Sequence, residues 1–287
     1  FTEDDCPPYI AVLEGYHTRL EYETGRSSRL WGSKGERRTD ATTGRSYNSN
    51  ERWGSYHPQR RGREARRAAE LADDALDAAH ALVAGGIDEG EILAAMHSAI
   101  YRGGGDDPGN EFIIGSGPDA LLCRYKSGRR SLDAYDQLTL EWAGVYRHYH
   151  AAMMRTIPVG RAQPEHLAMH AACVEALEAC HAAFVPGNLV GDVFDAYAQV
   201  MDDHGYQHAR LNACGYSMGT TFAPNWMDWP MFYHGNPVVL EEGMVFFMHM
   251  ILMDSEKGMA MNLGESFVLE NGAGSRLSRS SRELFVG

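Results

Sequence analysis

The chain lacks an apolar run near the ~20 residues that a membrane-spanning helix needs, lacks any Cys-x-x-Cys pair, and lacks an excess of positive charge. The first absence argues against a membrane span. The second removes the usual zinc and dithiol signatures. Its cysteines are odd in number and scattered (Cys6, Cys123, Cys173, Cys180 and Cys214). That pattern suits free thiols in a reducing cytoplasm. The net charge is −13, unevenly spread. Residues 1–67 hold 13 Lys/Arg against 10 Asp/Glu, whereas residues 68–287 hold 13 against 29. An acidic body is a poor nucleic-acid surface.

What is present falls into two parts. Residues 1–61 read as a short basic arm or a remnant of an N-terminal domain. Ile10, Leu13, His17 and Leu20 have helical spacing, but residues 25–67 are rich in Gly, Ser, Thr and Arg with little apolar period. Residues 62–287 read as the folded body. "REARRAAELADDALDAAHALVAGG" is an alanine-rich helix stopped by Gly85-Gly86, and a second helix follows with Asp88 as its N-cap. "EFIIGSGPDALLCRY" reads as strand, turn and strand, and "LTLEWAGVYRHYHAAMMRT" as extended chain. In this last stretch strand periodicity points His148 and His150 to one side. The order then repeats: two helices, then "GYSMGTTF", "MVFFMHMILM" and "MAMNLGESFVLE". Leu82, Val83, Gly85 and Ile87 match Phe184, Val185, Gly187 and Leu189 at a spacing of 102. Two such halves imply an α+β fold with a shared antiparallel sheet, helices on one face and a ligand site on the other.

Four stretches, "RTIPVG", "GYSMG", "LEEGMVF" and "ENGAGSRLS", carry a resemblance to the pita-bread family of methionine aminopeptidase, prolidase, aminopeptidase P and creatinase. The resemblance implies a pita-bread fold over about residues 62–280. The family's metallopeptidases bind two cations through two Asp, one His and two Glu. Carried over, the Asp positions fall on Glu141 and Ala152, the His on Tyr216, and the first Glu on His249. The last Glu falls on Leu263 or Glu265. The proton-shuttling His becomes Arg124. Bridging carboxylates must hold two like charges about 3.5–4 Å apart, and alanine at 152 supplies none. No metal or other cofactor is therefore expected.

The chain looks most like the metal-free branch, creatinase and ectoine-hydrolase-like proteins, chiefly through "AGVYRHYHAAMMRT". The resemblance implies hydrolysis of a C–N bond in a small nitrogen-containing solute. Glu141, His249, His150 and Tyr216 are the expected catalytic residues. Glu141 would hold a cationic amidine or attack its carbon. His249, with His150, would move the proton, and Tyr216 would steady the tetrahedral intermediate. Arg124, Glu265, Trp226 and Phe222 are the expected substrate-binding residues, with Trp226, Trp229 and Phe232 as a possible aromatic box. The alternatives are a metal-dependent aminopeptidase- or prolidase-like enzyme, with Glu141, His150, His249 and Glu265 around one cation, and a non-catalytic binding protein. The basic arm against an acidic body leads us to expect a homodimer, with the arm lying across the neighbour.

Overall fold

The computed structural model describes residues 58–122 and 129–287, with a two-residue strand pair before them, β1 (Arg38–Thr39) and β2 (Ser46–Tyr47). Residues 1–57 and Pro58–Gly287 separate into two units. The expected helix at Ile10–Leu20 and the arm's docking on a neighbour lie outside the described residues, as do Cys123 and Arg124.

In the second unit, α1 (Pro58–His80) lays Ala65, Ala68, Leu71, Ala72, Ala75, Leu76 and Ala79 along one buried stripe. Small side chains let it lie close to the sheet. A Cβ on Gly144 would stand only 2.0 Å from the Ala68 carbonyl oxygen. The second helix, α2 (Glu89–Arg102), starts as its sequence suggests: the Asp88 side chain accepts from the Gly90 N–H at 2.8 Å. Strand β3 (Ile113–Ser116) follows, then a 3₁₀ turn over Gly117–Leu121 at the expected Gly/Pro turn; most of the expected second strand lies outside the described residues.

Strands β4 (Asp136–Tyr146) and β5 (Tyr149–Val159) form a hairpin rather than one extended run. Its two turn residues, Arg147 and His148, both take positive φ (52° and 62°), as a twist-matched two-residue turn requires. Next come α3 (Pro164–Ala183), α4 (Val190–Asp203), β6 (Gly215–Ser217), β7 (Asp228–Met231), β8 (Val245–Asp254), β9 (Met259–Glu270) and β10 (Ala273–Arg276). The sheet order is β3-β4-β5-β9-β8-β6-β7, with β10 beside β9, and these neighbours pair antiparallel. The halves meet at β5 and β9, through Met154 opposite Gly264 and Arg155 opposite Leu263. This is the α+β pita-bread architecture.

The internal repeat is real, but its offset is 101 rather than 102. Gly86 and Gly187 share φ of +94°. The Gly86 N–H donates to Leu132 O at 2.8 Å, and the Gly187 N–H to Leu240 O at 2.9 Å. Leu132 and Leu240 in turn donate to Ile87 O and Asn188 O, each at 2.8 Å. The paired Gly-Gly before the first joint misleads the eye by one residue. Only Gly86 occupies the left-handed conformation that favours glycine.

Strand alternation then sorts the side chains. Leu138, Leu140 and Trp142 pack under α1, where the Trp142 indole N–H donates to Ala72 O at 3.0 Å. Phe246, Met248, Met250 and Leu252 on β8, with Met261, Leu263, Phe267 and Leu269 on β9, form a second core with α3 and α4. By the period of two, Thr139, Glu141 and Ala143 take the opposite face, as do Phe247, His249 and Ile251.

Candidate active site

Three residues from three strands meet on that opposite face. Glu141 on β4 is buried despite its charge, Tyr216 on β6 is buried, and His249 on β8 is buried. The Tyr216 hydroxyl donates to Glu141 Oε1 at 3.2 Å. The Tyr216 ring lies 5.7 Å from the His249 imidazole, centroid to centroid. Phe247, two residues earlier on the same strand, lies 5.5 Å from that imidazole. Directly opposite His249 on β9 is Gly264, which brings no side chain. Directly opposite Glu141 on β5 is Met154, and the inherited position Ala152, next on the same face, lies opposite Ala143. Among the described residues the site thus brings together a carboxylate, an imidazole and a phenol, with an aromatic wall. It can accept a cation at Glu141 and move a proton at His249.

Trp226 belongs to this group in a way its sequence does not reveal. It is buried, and its indole N–H donates to the Tyr216 oxygen at 2.8 Å. Nothing in the spacing of "FAPNWMDWPMFYHG" distinguishes it from Trp229 or Phe232. Phe232 instead enters the second core, 4.5 Å from Phe246. Trp229 pairs with Tyr233 at 5.8 Å. The expected box of three aromatic walls is therefore not assembled. Phe222 is half-exposed and lies 4.5 Å from the ring of His148.

His150 differs from its expectation. It is buried, but both ring nitrogens are engaged by structure. Nε2 accepts from the Gly109 N–H at 2.9 Å, so Nδ1 carries the proton and donates to His148 O at 3.0 Å. Thr221 Oγ1 lies 3.2 Å from Nδ1. This neutral tautomer staples the β4–β5 hairpin to the loop that carries Trp226. His148 does not share its face, because it sits exposed in the hairpin turn.

Burial, chiefly, lowers the His150 pKa to about 4, against smaller opposing contributions from backbone hydrogen bonds. The unfolded chain, at about 6.5, binds this proton first. Stability is then full above the unfolded value and falls as the pH drops from 6.5 towards 4, by about 1.4 kcal/mol per unit. Urea unfolding should show that slope. In His150→Gln it should flatten, and an unchanged slope would refute the assignment.

Glu265 is also placed differently. It is fully buried, but opposite Met248 and on the helix side of the sheet, away from His249. Arg155 reaches it at 2.9 Å, Arg276 at 2.6 Å and Arg282 at 3.0 Å. The other carried-over position, Leu263, lies in the second core. Neither residue adds a donor beside His249, because a one-residue step along a strand reverses the face.

Comparison with known proteins bears on this arrangement. Residues 63–271 match the model of the metallopeptidase family M24. The chain belongs to this family. It is 25% identical over 218 residues to a Xaa-Pro dipeptidase of Pyrococcus furiosus, covering 76% of this chain and 61% of the relative. It is 29% identical over 184 residues to an ectoine hydrolase of Halomonas elongata, covering 64% of this chain and 45% of the relative. The chain thus spans about half to three-fifths of the length of these curated relatives. Among solved structures, the prolidase of Pyrococcus horikoshii superimposes with a TM-score of 0.74 at 22% identity, covering 79% of this chain and 64% of that one. These matches establish an M24-type fold.

The family name implies a metal, and the residues present do not fit a dinuclear one. Of the five inherited positions, Ala152 offers no donor, Leu263 is in the second core and Tyr216 spends its proton on Glu141. Among the described residues, no three His, Cys, Asp or Glu side chains form a group able to hold a metal ion. Bridging carboxylates are what such a pair of cations needs.

Proposed function

We propose that this M24-family chain hydrolyses a C–N bond, amidine or amide, in a small nitrogen-containing solute, without a metal. The observation that carries the reading is the Glu141–Tyr216 hydrogen bond with His249 packed on the same phenol, at positions where the family's metallopeptidases carry ligands. Glu141 receives the positive end of the solute or attacks its carbon. His249 takes a proton from water and returns it to the leaving nitrogen. Water adds to the carbon, the C–N bond breaks, and one proton moves to nitrogen. The likeness to an ectoine hydrolase supports this class of substrate; the likeness to Xaa-Pro dipeptidases supports the rival, a metal-dependent peptidase.

The test is to incubate the purified protein with ectoine, creatine, guanidino acids and Xaa-Pro dipeptides, with and without chelator, and to follow consumption by mass spectrometry. Consumption of an amidine or amide solute at unchanged rate under chelation is expected, with substoichiometric metal by elemental analysis. Activity abolished by chelator and restored by Mn²⁺ or Fe²⁺ would establish the peptidase-like reading instead.

A further inference from the structure

We infer that Trp226 is a positioning residue, which holds the Glu141 carboxylate in its working orientation through the hydroxyl of Tyr216. The direction of the two hydrogen bonds carries the argument. An indole N–H can only donate, so at 2.8 Å the Tyr216 oxygen must accept from Trp226. The phenol has one proton of its own, and it goes to Glu141 Oε1 at 3.2 Å. The order Trp226 to Tyr216 to Glu141 is therefore polarised one way, each donation strengthening the next. All three side chains are buried, where such a chain is not diluted by water.

This changes the part assigned to Tyr216. A hydroxyl already committed to Glu141 steadies that carboxylate, not an oxyanion on the substrate. It also explains why a buried tryptophan stands in a loop rather than in a strand. That loop is held from three sides. The Thr221 hydroxyl donates to Trp226 O at 3.4 Å. The His150 N–H donates to Gly219 O at 3.2 Å, and the Thr221 N–H to His148 O at 3.2 Å. Gly109 completes it, because a Cβ there would lie 3.0 Å from Asn225 O. The hairpin turn and the 109 segment thus fix the height at which the indole meets Tyr216.

The test has two arms, and only the kinetic arm rests on the proposed hydrolase. In the kinetic arm, Trp226→Phe keeps the ring and removes the N–H. It should lower kcat about tenfold with KM within about twofold. Tyr216→Phe should lower kcat further, and the double variant should be no worse than Tyr216→Phe alone. Unchanged kcat in Trp226→Phe, or losses that multiply in the double variant, would overturn the inference.

The second arm reads the indole N–H resonances by ¹H–¹⁵N correlation, with Trp226 assigned by the peak missing in Trp226→Phe. That peak should move upfield in Tyr216→Phe, where its acceptor is gone. It should also move upfield in Glu141→Gln, although Glu141 does not touch the indole, because a neutral amide polarises the phenol less. A resonance unmoved in both would overturn the inference whether or not a substrate is known. If no solute is consumed, the hydrolase reading falls and the resonance arm alone decides.

Discussion

Glu141→Gln should lower turnover by about 10³-fold or more while leaving the unfolding midpoint nearly unchanged. Glutamine matches glutamate in volume, and its amide oxygen still accepts from the Tyr216 hydroxyl. What is lost is the negative charge, beside the buried phenol of Tyr216 and the imidazole of His249. A cation would then lose its counter-charge, and a nucleophile its lone pair. His249→Asn should cost a similar factor, because proton delivery to the leaving nitrogen has no substitute in His150, whose ring nitrogens are both used. If the two act in one step, the double variant should be barely worse than either single one. Circular dichroism and urea unfolding check the fold, and initial rates check the chemistry. Full activity in either single variant would remove that residue from the site.

The largest stability effect is expected on the other face of the sheet. Glu265→Leu should destabilise the fold by about 3–5 kcal/mol, the usual cost of stripping a buried charge of its partner. The charge left behind is Arg155, itself buried among apolar strands. Its remaining contacts there are donations to Met154 O and Gly264 O at 2.9 Å. Glu265 also gathers Arg276 and Arg282, so the substitution loosens the segment after β10 from the sheet. Arg282→Leu, removing a more exposed partner, should cost clearly less. Equal urea midpoints for Glu265→Leu and the parent would refute this.

The same cage sets a pH dependence. Burial raises the Glu265 pKa, but the charge of Arg155 and the hydrogen bond and charge of Arg276 outweigh it, and the carboxyl titrates below its ordinary 4.5. A depressed folded-state pKa means the contribution is complete above about pH 4.5 and is lost as the pH falls through the lower folded value. It vanishes in Glu265→Leu. The window lies below most of the His150 window, so the two groups separate in one titration series.

Much of the fold was legible in the amino-acid order, because helix and strand periods are local properties. The alanine stripe of α1, the Asp88 cap and the long apolar runs of β8 and β9 each follow from neighbours a few residues apart. So did the motifs that mark the family, and with them the positions of Glu141, Tyr216 and His249. The rest depends on register, which local sequence does not contain. Whether Glu265 meets His249 or Arg155 turns on a single residue's step between β8 and β9. Whether His150 is a base or a staple turns on a backbone N–H 41 residues earlier, that of Gly109. Trp226 looked like one aromatic among several until the loop from β6 folded back and set its indole on the Tyr216 oxygen. Sequence determined which chemical groups the two halves supply; the tertiary structure decided which face each one takes and which hydrogen bonds it has left, since both are set by contacts between strands and loops far apart in the chain.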